Sequence, residues 1–193
     1  MKSIQIIVAA VLITLGISGA AFAAEGPTDY LKSLDNQLKP LLVKADQNQG
    51  KILKIVKKML DFDRLCKDSL GKHWDTKTAE QQKDFSDTLT ALIEKNVLKR
   101  LKSTKGNEII YESEKVKGDT ATVVTIVSDI SGSRPVEIEI AYTLEKKGGK
   151  WIVVDMQTDG ISLVSNYRSQ FNSLIEKEGW DKMMQKMKDK LKE

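Results

Sequence analysis

The chain has 193 residues, with 31 Lys and Arg against 27 Asp and Glu, one Cys and one His. Its net charge of +4 is spread among groups of both signs, which argues against a nucleic-acid stripe, and a lone Cys excludes an intramolecular disulfide. One His and one Cys also fall short of the usual zinc set, so stability has to come from packing a core.

The first residues read as an export signal. Lys2 gives a small positive start, Ile4–Ile17 is a largely apolar run, and Ala21-Phe22-Ala23 has the small-x-small pattern of signal-peptidase cleavage. The expectation is a signal peptide over residues 1–23, cleaved after Ala23, and one mature domain over 24–193. The apolar run is short for a membrane span and polar sequence follows it directly, which disfavours a retained anchor. No Cys lies near the cleavage site, so a lipoprotein is not expected either.

The next hundred residues have helical periodicity. Leu31, Leu34, Leu38, Leu41 and Leu42 make one apolar stripe, which Pro40 is expected to kink or end. Ile52, Ile55, Val56, Met59 and Leu60 make a second. Phe62, Leu65, Leu70 and Trp74 form a shorter piece that Gly71 interrupts. Thr78 and Gln81 have the spacing of a capping box. The helix they open carries Phe85, Leu89, Leu92, Ile93, Val97 and Leu101, and Lys105-Gly106-Asn107 ends it.

The period then changes from 3.6 to 2. Strands are expected over Glu108–Val116, Thr120–Ser128, Val136–Leu144 and Trp151–Thr158, joined by Lys117-Gly118-Asp119, Ser131-Gly132-Ser133 and Lys147-Gly148-Gly149. Links this short favour an antiparallel meander. Helices over Leu163–Lys177 and Trp180–Leu191 close the chain. The fold class is α+β: a twisted antiparallel sheet of about four strands with helices packed on one face. Such a domain can enclose an apolar cavity between its layers, although periodicity alone fits a solid core equally well.

Chemistry is sparse. His73 would have to centre any Ser-His-Asp or Cys-His arrangement, and an exposed or singly bonded histidine is the preferred reading over a general base. Asp61 and Asp63 flank Phe62, which reads as a solvated face beside an apolar anchor. Cys66 reads as a small core residue. No glycine-rich phosphate loop is present. The chain is therefore expected not to be an enzyme. Trp180, Met183, Met184, Met187 and Leu191 give the last helix an apolar face, for packing on the domain or for touching a partner or a membrane.

The most specific stretch is Trp151–Phe171, where Trp151, Asp155, Gly160-Ile161-Ser162-Leu163-Val164, Asn166-Tyr167-Arg168 and Gln170-Phe171 fall in one register. With Phe62-Asp63, Leu70-Gly71, Trp74, the Gln81/Gln82/Phe85 helix and Ala121–Val127, this block resembles the MlaC family, also called toluene-tolerance proteins. Two positions depart from the family's pattern: Val97 stands where an aromatic is usual and Cys66 where a small residue is. The resemblance implies a periplasmic phospholipid carrier that hides the acyl chains and leaves the headgroup in water. It further implies exchange with the MCE-domain protein of an inner-membrane ABC transporter and with an outer-membrane lipoprotein complex, in a system that maintains outer-membrane lipid asymmetry. No cofactor of its own, no nucleic acid and a monomeric state are expected. The pocket is then expected to be lined by the strand residues Val123, Thr125, Ile138, Ile140, Tyr142, Val154 and Met156, and by Leu89, Ile93, Val164 and Tyr167 from helices. Arg168 is expected to tie the Asp159-Gly160 turn or to pair with Asp155, with phosphate binding by Asn166 and Arg168 the less favoured choice. The competing reading is an exported protein-interaction module without lipid, using the Met-rich last helix as its surface.

Overall fold

The computed structural model describes residues 25–103, 108–129 and 136–193; the expected signal peptide and the turns at Lys105-Gly106-Asn107 and Ser131-Gly132-Ser133 lie outside them. Helix α1 covers Pro27–Leu42 and opens on a proline, whose missing N–H costs nothing in a first turn. Pro40 does not split it, because the helix ends two residues later. Helix α2, Ala45–Met59, buries Ile52 and Val56. The chain then turns extended at Leu60, which forms a parallel bridge with Val153, and the Asp61 N–H donates to the Val153 carbonyl at 2.9 Å.

Asp61 next caps helix α3, Phe62–Leu70, accepting from the Arg64 N–H at 3.2 Å. Gly71 stops α3 with φ 55°, and a short 3-10 turn over Gly71–Thr76 leads to helix α4, Ala79–Ser103. The expected capping box is formed: Gln81 N–H donates to Thr78 Oγ1 at 3.2 Å and Thr78 N–H to Gln81 Oε1 at 3.1 Å.

Five strands follow: β1 Glu108–Lys117, β2 Thr120–Asp129, β3 Val136–Lys147, β4 Lys150–Thr158 and β5 Ile161–Ser162. Each pairs antiparallel with the next, so the sheet is a simple meander in order β1-β2-β3-β4-β5. The two-residue β5, not anticipated in the sequence, exists because Asp159 (φ 50°) and Gly160 (φ 77°) reverse the chain onto the end of β4. Helix α5, Leu163–Glu178, and helix α6, Trp180–Lys192, complete the helical layer.

One feature overturns a strand expectation. The β3–β4 register slips between Thr143 and Leu144, so Thr143 faces Asp155 while Leu144 faces Val153. Val154 is the extra residue of this bulge. It therefore does not share the inner face with Met156, as simple alternation had it. With Ile152 it lines a depression of about 480 Å³ beside Asp61, Arg64 and Trp74.

The core is continuous between sheet and helices. Phe85 is fully buried, edge-on to Phe171 at 5.2 Å and tilted against Trp180 at 6.1 Å. Met183, Met184 and Met187 of α6 are buried in the same cluster, so the Met-rich face packs on the domain and is not presented to a partner. That removes the surface the interaction-module reading relied on.

Candidate functional site

The inner face of the sheet is built from one set of register rows. Ala121 faces Leu144, Val123 faces Tyr142 and Thr125 faces Ile140; Tyr142 then faces Met156, and Ile140 faces Thr158. Burial along these rows is graded. At one end Ala121, Leu144, Trp151 and Val153 are buried, Leu144 and Val153 completely. Further along the same strands Tyr142, Ile140, Ile138 and Met156 are only half-buried. Tyr111 on β1, opposite Thr125, is half-buried too.

The helices fade in the same direction. In α1, Leu31 and Leu34 are buried, whereas Leu38, Leu41 and Leu42 are half-buried. In α4, Phe85, Leu89 and Ile93 are buried, whereas Val97, Leu98 and Leu101 are half-buried. Contacts fix the alignment. The Thr28 N–H donates to Glu114 Oε2 at 2.8 Å, and Lys32 lies over the Tyr111 ring at 5.2 Å, so α1 runs from the sealed end towards the open one. Helix α2 runs the opposite way, from the Asp46–Lys102 ion pair near the end of α4 to the Leu60–Val153 bridge. Cover over the sheet is thus complete at Leu144 and Val153 and partial at Ile140 and Ile138 on β3, whose β2 neighbours Thr125 and Val127 stay buried.

The expected lining residues divide along this gradient of burial. Ile138, Ile140, Tyr142, Met156 and Tyr167 stand half-buried at the open part, and Thr125 lies beneath them on β2. Leu89, Ile93, Val123 and Val164 belong to the sealed core. Val154 is on the other face, as described. Tyr111, Leu38, Leu41, Leu98 and Leu101 join the open part without having been singled out. Their signal was the apolar stripe itself, carried past the point needed to seal a core. Burial pushes the Tyr111, Tyr142 and Tyr167 hydroxyls up from their ordinary value, so the lining stays uncharged.

The polar groups of the Trp151–Phe171 block are structural. Asp155 accepts from the Met156 N–H at 2.9 Å, the Ser162 hydroxyl at 2.6 Å and the Val164 N–H at 3.1 Å, pinning β5 and the first turn of α5 to β4. Ser162 in turn caps α5 by accepting from the Ser165 N–H at 3.0 Å. Arg168 meets neither the turn nor Asp155. Its Nε donates to the Asp68 carbonyl at 2.7 Å, and its aliphatic stem lies where a Cβ on Gly71 would meet it at 3.2 Å. It joins α5 to the end of α3. Asn166 accepts from Gln170 on its own helix at 3.1 Å.

The groups that might have carried chemistry are placed as structure. Cys66 is 1% exposed, and burial pushes its thiol up to about 11, so it stays protonated. Burial, then the nearby Lys72 and Lys77 charges, push the His73 imidazole down. Asp61 is held by Lys147 at 2.9 Å. Among the described residues no group of three or more His, Cys, Asp or Glu is arranged to hold a metal ion.

This layered fold has a solved counterpart. A phospholipid-binding protein from Ralstonia solanacearum, determined in complex with a phospholipid, superposes with a TM-score of 0.71 over 84% of this chain and 97% of its own, at 20% identity. At that identity the match speaks for the fold alone. The family profile described as MlaC protein matches residues 28–189, and the chain belongs to the MlaC family. The chain is also similar to the intermembrane phospholipid transport system binding protein MlaC of Haemophilus influenzae, with 29% identity over 120 residues. That match spans 61% of this chain and 56% of the relative's length.

Proposed function

We propose that this protein is a periplasmic phospholipid carrier without catalytic activity. The acyl chains would lie between the sheet and helices at the open end, and the headgroup would stay in water. The observation that carries this reading is the shared fading of burial in α1, α4, β3 and β4 towards one end, where uncharged side chains remain half-covered. Physical chemistry sets the need. Exposing a methylene to water costs about 0.8 kcal/mol, so two long chains cost on the order of 20 kcal/mol, and free passage across water is negligible. A headgroup that is already well hydrated needs little from the protein.

The MlaC name of the Haemophilus relative and the ligand of the Ralstonia protein support the same reading. The signal-like residues 1–23, cleaved after Ala23, fit export to the periplasm. The partners on this reading are the MCE-domain protein of an inner-membrane ABC transporter and an outer-membrane lipoprotein complex. The carrier brings no cofactor, and energy enters at the transporter.

Protein purified gently without added lipid is expected to carry phospholipid, measured by native mass spectrometry and by extraction. Ile140→Glu is expected to abolish this cargo while the chain stays folded. Empty wild-type protein counts against the carrier, and full occupancy in the variant overturns the placement of the chains.

A further inference from the structure

The solvent side of α2 carries Lys51, Lys54 and Lys58 at helical spacing, all exposed, with Lys44 exposed at its N-cap. Among the described residues none of these four makes an ion pair, whereas the flanking Lys57 reaches Glu94 at 2.9 Å and Lys102 reaches Asp46 at 2.6 Å. At ~1.5 Å per residue the row is about 20 Å long. A separate depression of about 550 Å³ between α2 and α4 is lined by Gln49, Lys95, Leu98, Lys99 and Lys102, and the lysine row lies outside it. Val43 stands at the corner between α1 and α2 and is 61% exposed, next to the half-buried Leu41 and Leu42 of the open end.

We propose that this solvent face of α2 docks on an anionic phospholipid bilayer. The α2 lysines meet headgroup phosphates, and Val43 reaches the headgroup boundary. Each cation near an anionic surface adds its own attraction, and salt screens the sum. The arrangement suits a plane of phosphates better than a protein. A protein interface wants a desolvated aromatic or aliphatic anchor at its centre, and this row of ammonium groups encloses none. The inference deepens the carrier reading, since docking brings the open end beside the source of lipid, but it is measured separately.

The mature chain, sedimented with phosphatidylcholine vesicles that contain phosphatidylglycerol, is expected to bind them, to ignore pure phosphatidylcholine and to release in high salt. Replacing all three α2 lysines (Lys51→Gln, Lys54→Gln, Lys58→Gln) is expected to weaken partition on the order of 100-fold. The exposed positions leave stability and copurified phospholipid unchanged, both measured on the same samples. Loaded protein that shows no preference for anionic vesicles overturns the docking and leaves the carrier intact. Docking by a protein that never holds lipid does the reverse. Retention on an acidic polypeptide in preference to the vesicles assigns the face to a protein partner and also overturns the proposal.

Discussion

At the sealed end of the inner face, Leu144 and Val153 lie under α2, α3 and α5 and lose all contact with water; a few residues along the same strands, Ile140, Tyr142 and Met156 keep part of theirs. The residue types hardly differ between the two regions. What differs is the cover. The last apolar turns of α1 and α4, Leu38 to Leu42 and Val97 to Leu101, are left half-buried. On the carrier reading, the mark of the site is a run of apolar side chains longer than its core requires.

The contrast is open to direct attack. The largest effect is expected at the sealed end: Phe85→Ala removes a fully buried ring that contacts Phe171 and Trp180, and should cost about 3–5 kcal/mol in denaturant unfolding. A loss below about 1 kcal/mol would mean that this end is not the solid half. Between the regions, Asp155→Ala strips the acceptor from two N–H groups and one hydroxyl. It should cost about 1–3 kcal/mol and raise amide exchange at Val164 and in the first turn of α5. Uniform exchange across α5 would dissolve the role given to that carboxylate. The smallest effect is expected at the open end, where Ile140→Glu should change stability by about 1 kcal/mol or less, because the new carboxylate stays hydrated. Unfolding of that variant would place Ile140 in the core and erase the distinction.

Much of this was readable in the chain. The stripes from Leu31, Ile52 and Phe85 foretold α1, α2 and α4, and the alternation of Ile138, Ile140 and Tyr142 with glutamates told which side of β3 is wet. Thr78 and Gln81 announced a helix start that the structure has. Three things were not readable. The bulge at Val154 leaves no mark, since Val fits either face of a strand. Asp155 and Arg168 are close enough in sequence to suggest a pair, yet their partners, Val164 N–H and the Asp68 carbonyl, are backbone groups that no pattern names. Which residues of a stripe end up covered depends on helix length and splay, and periodicity carries neither. Leu89 and Val164, expected in the lining, are buried in the hydrophobic cluster.

The bulge at Val154 also acts as a reading frame for β4. Upstream of it odd-numbered side chains, Trp151 and Val153, look inward; downstream even-numbered ones, Met156 and Thr158, do. The strand can thus contribute to the fully buried core and to its half-buried margin while its middle turns Val154 outward against the Trp74 depression. Exchanging Val154 for another apolar residue disturbs only that depression. Removing it would leave a regular ladder, with Asp155 outward after Val153 and Met156 and Thr158 still inward, so β4 would lose its bulge and keep the side chains on both faces. The extra residue thus sets the local bend and twist of β4 and leaves untouched the choice of side chains that face inward.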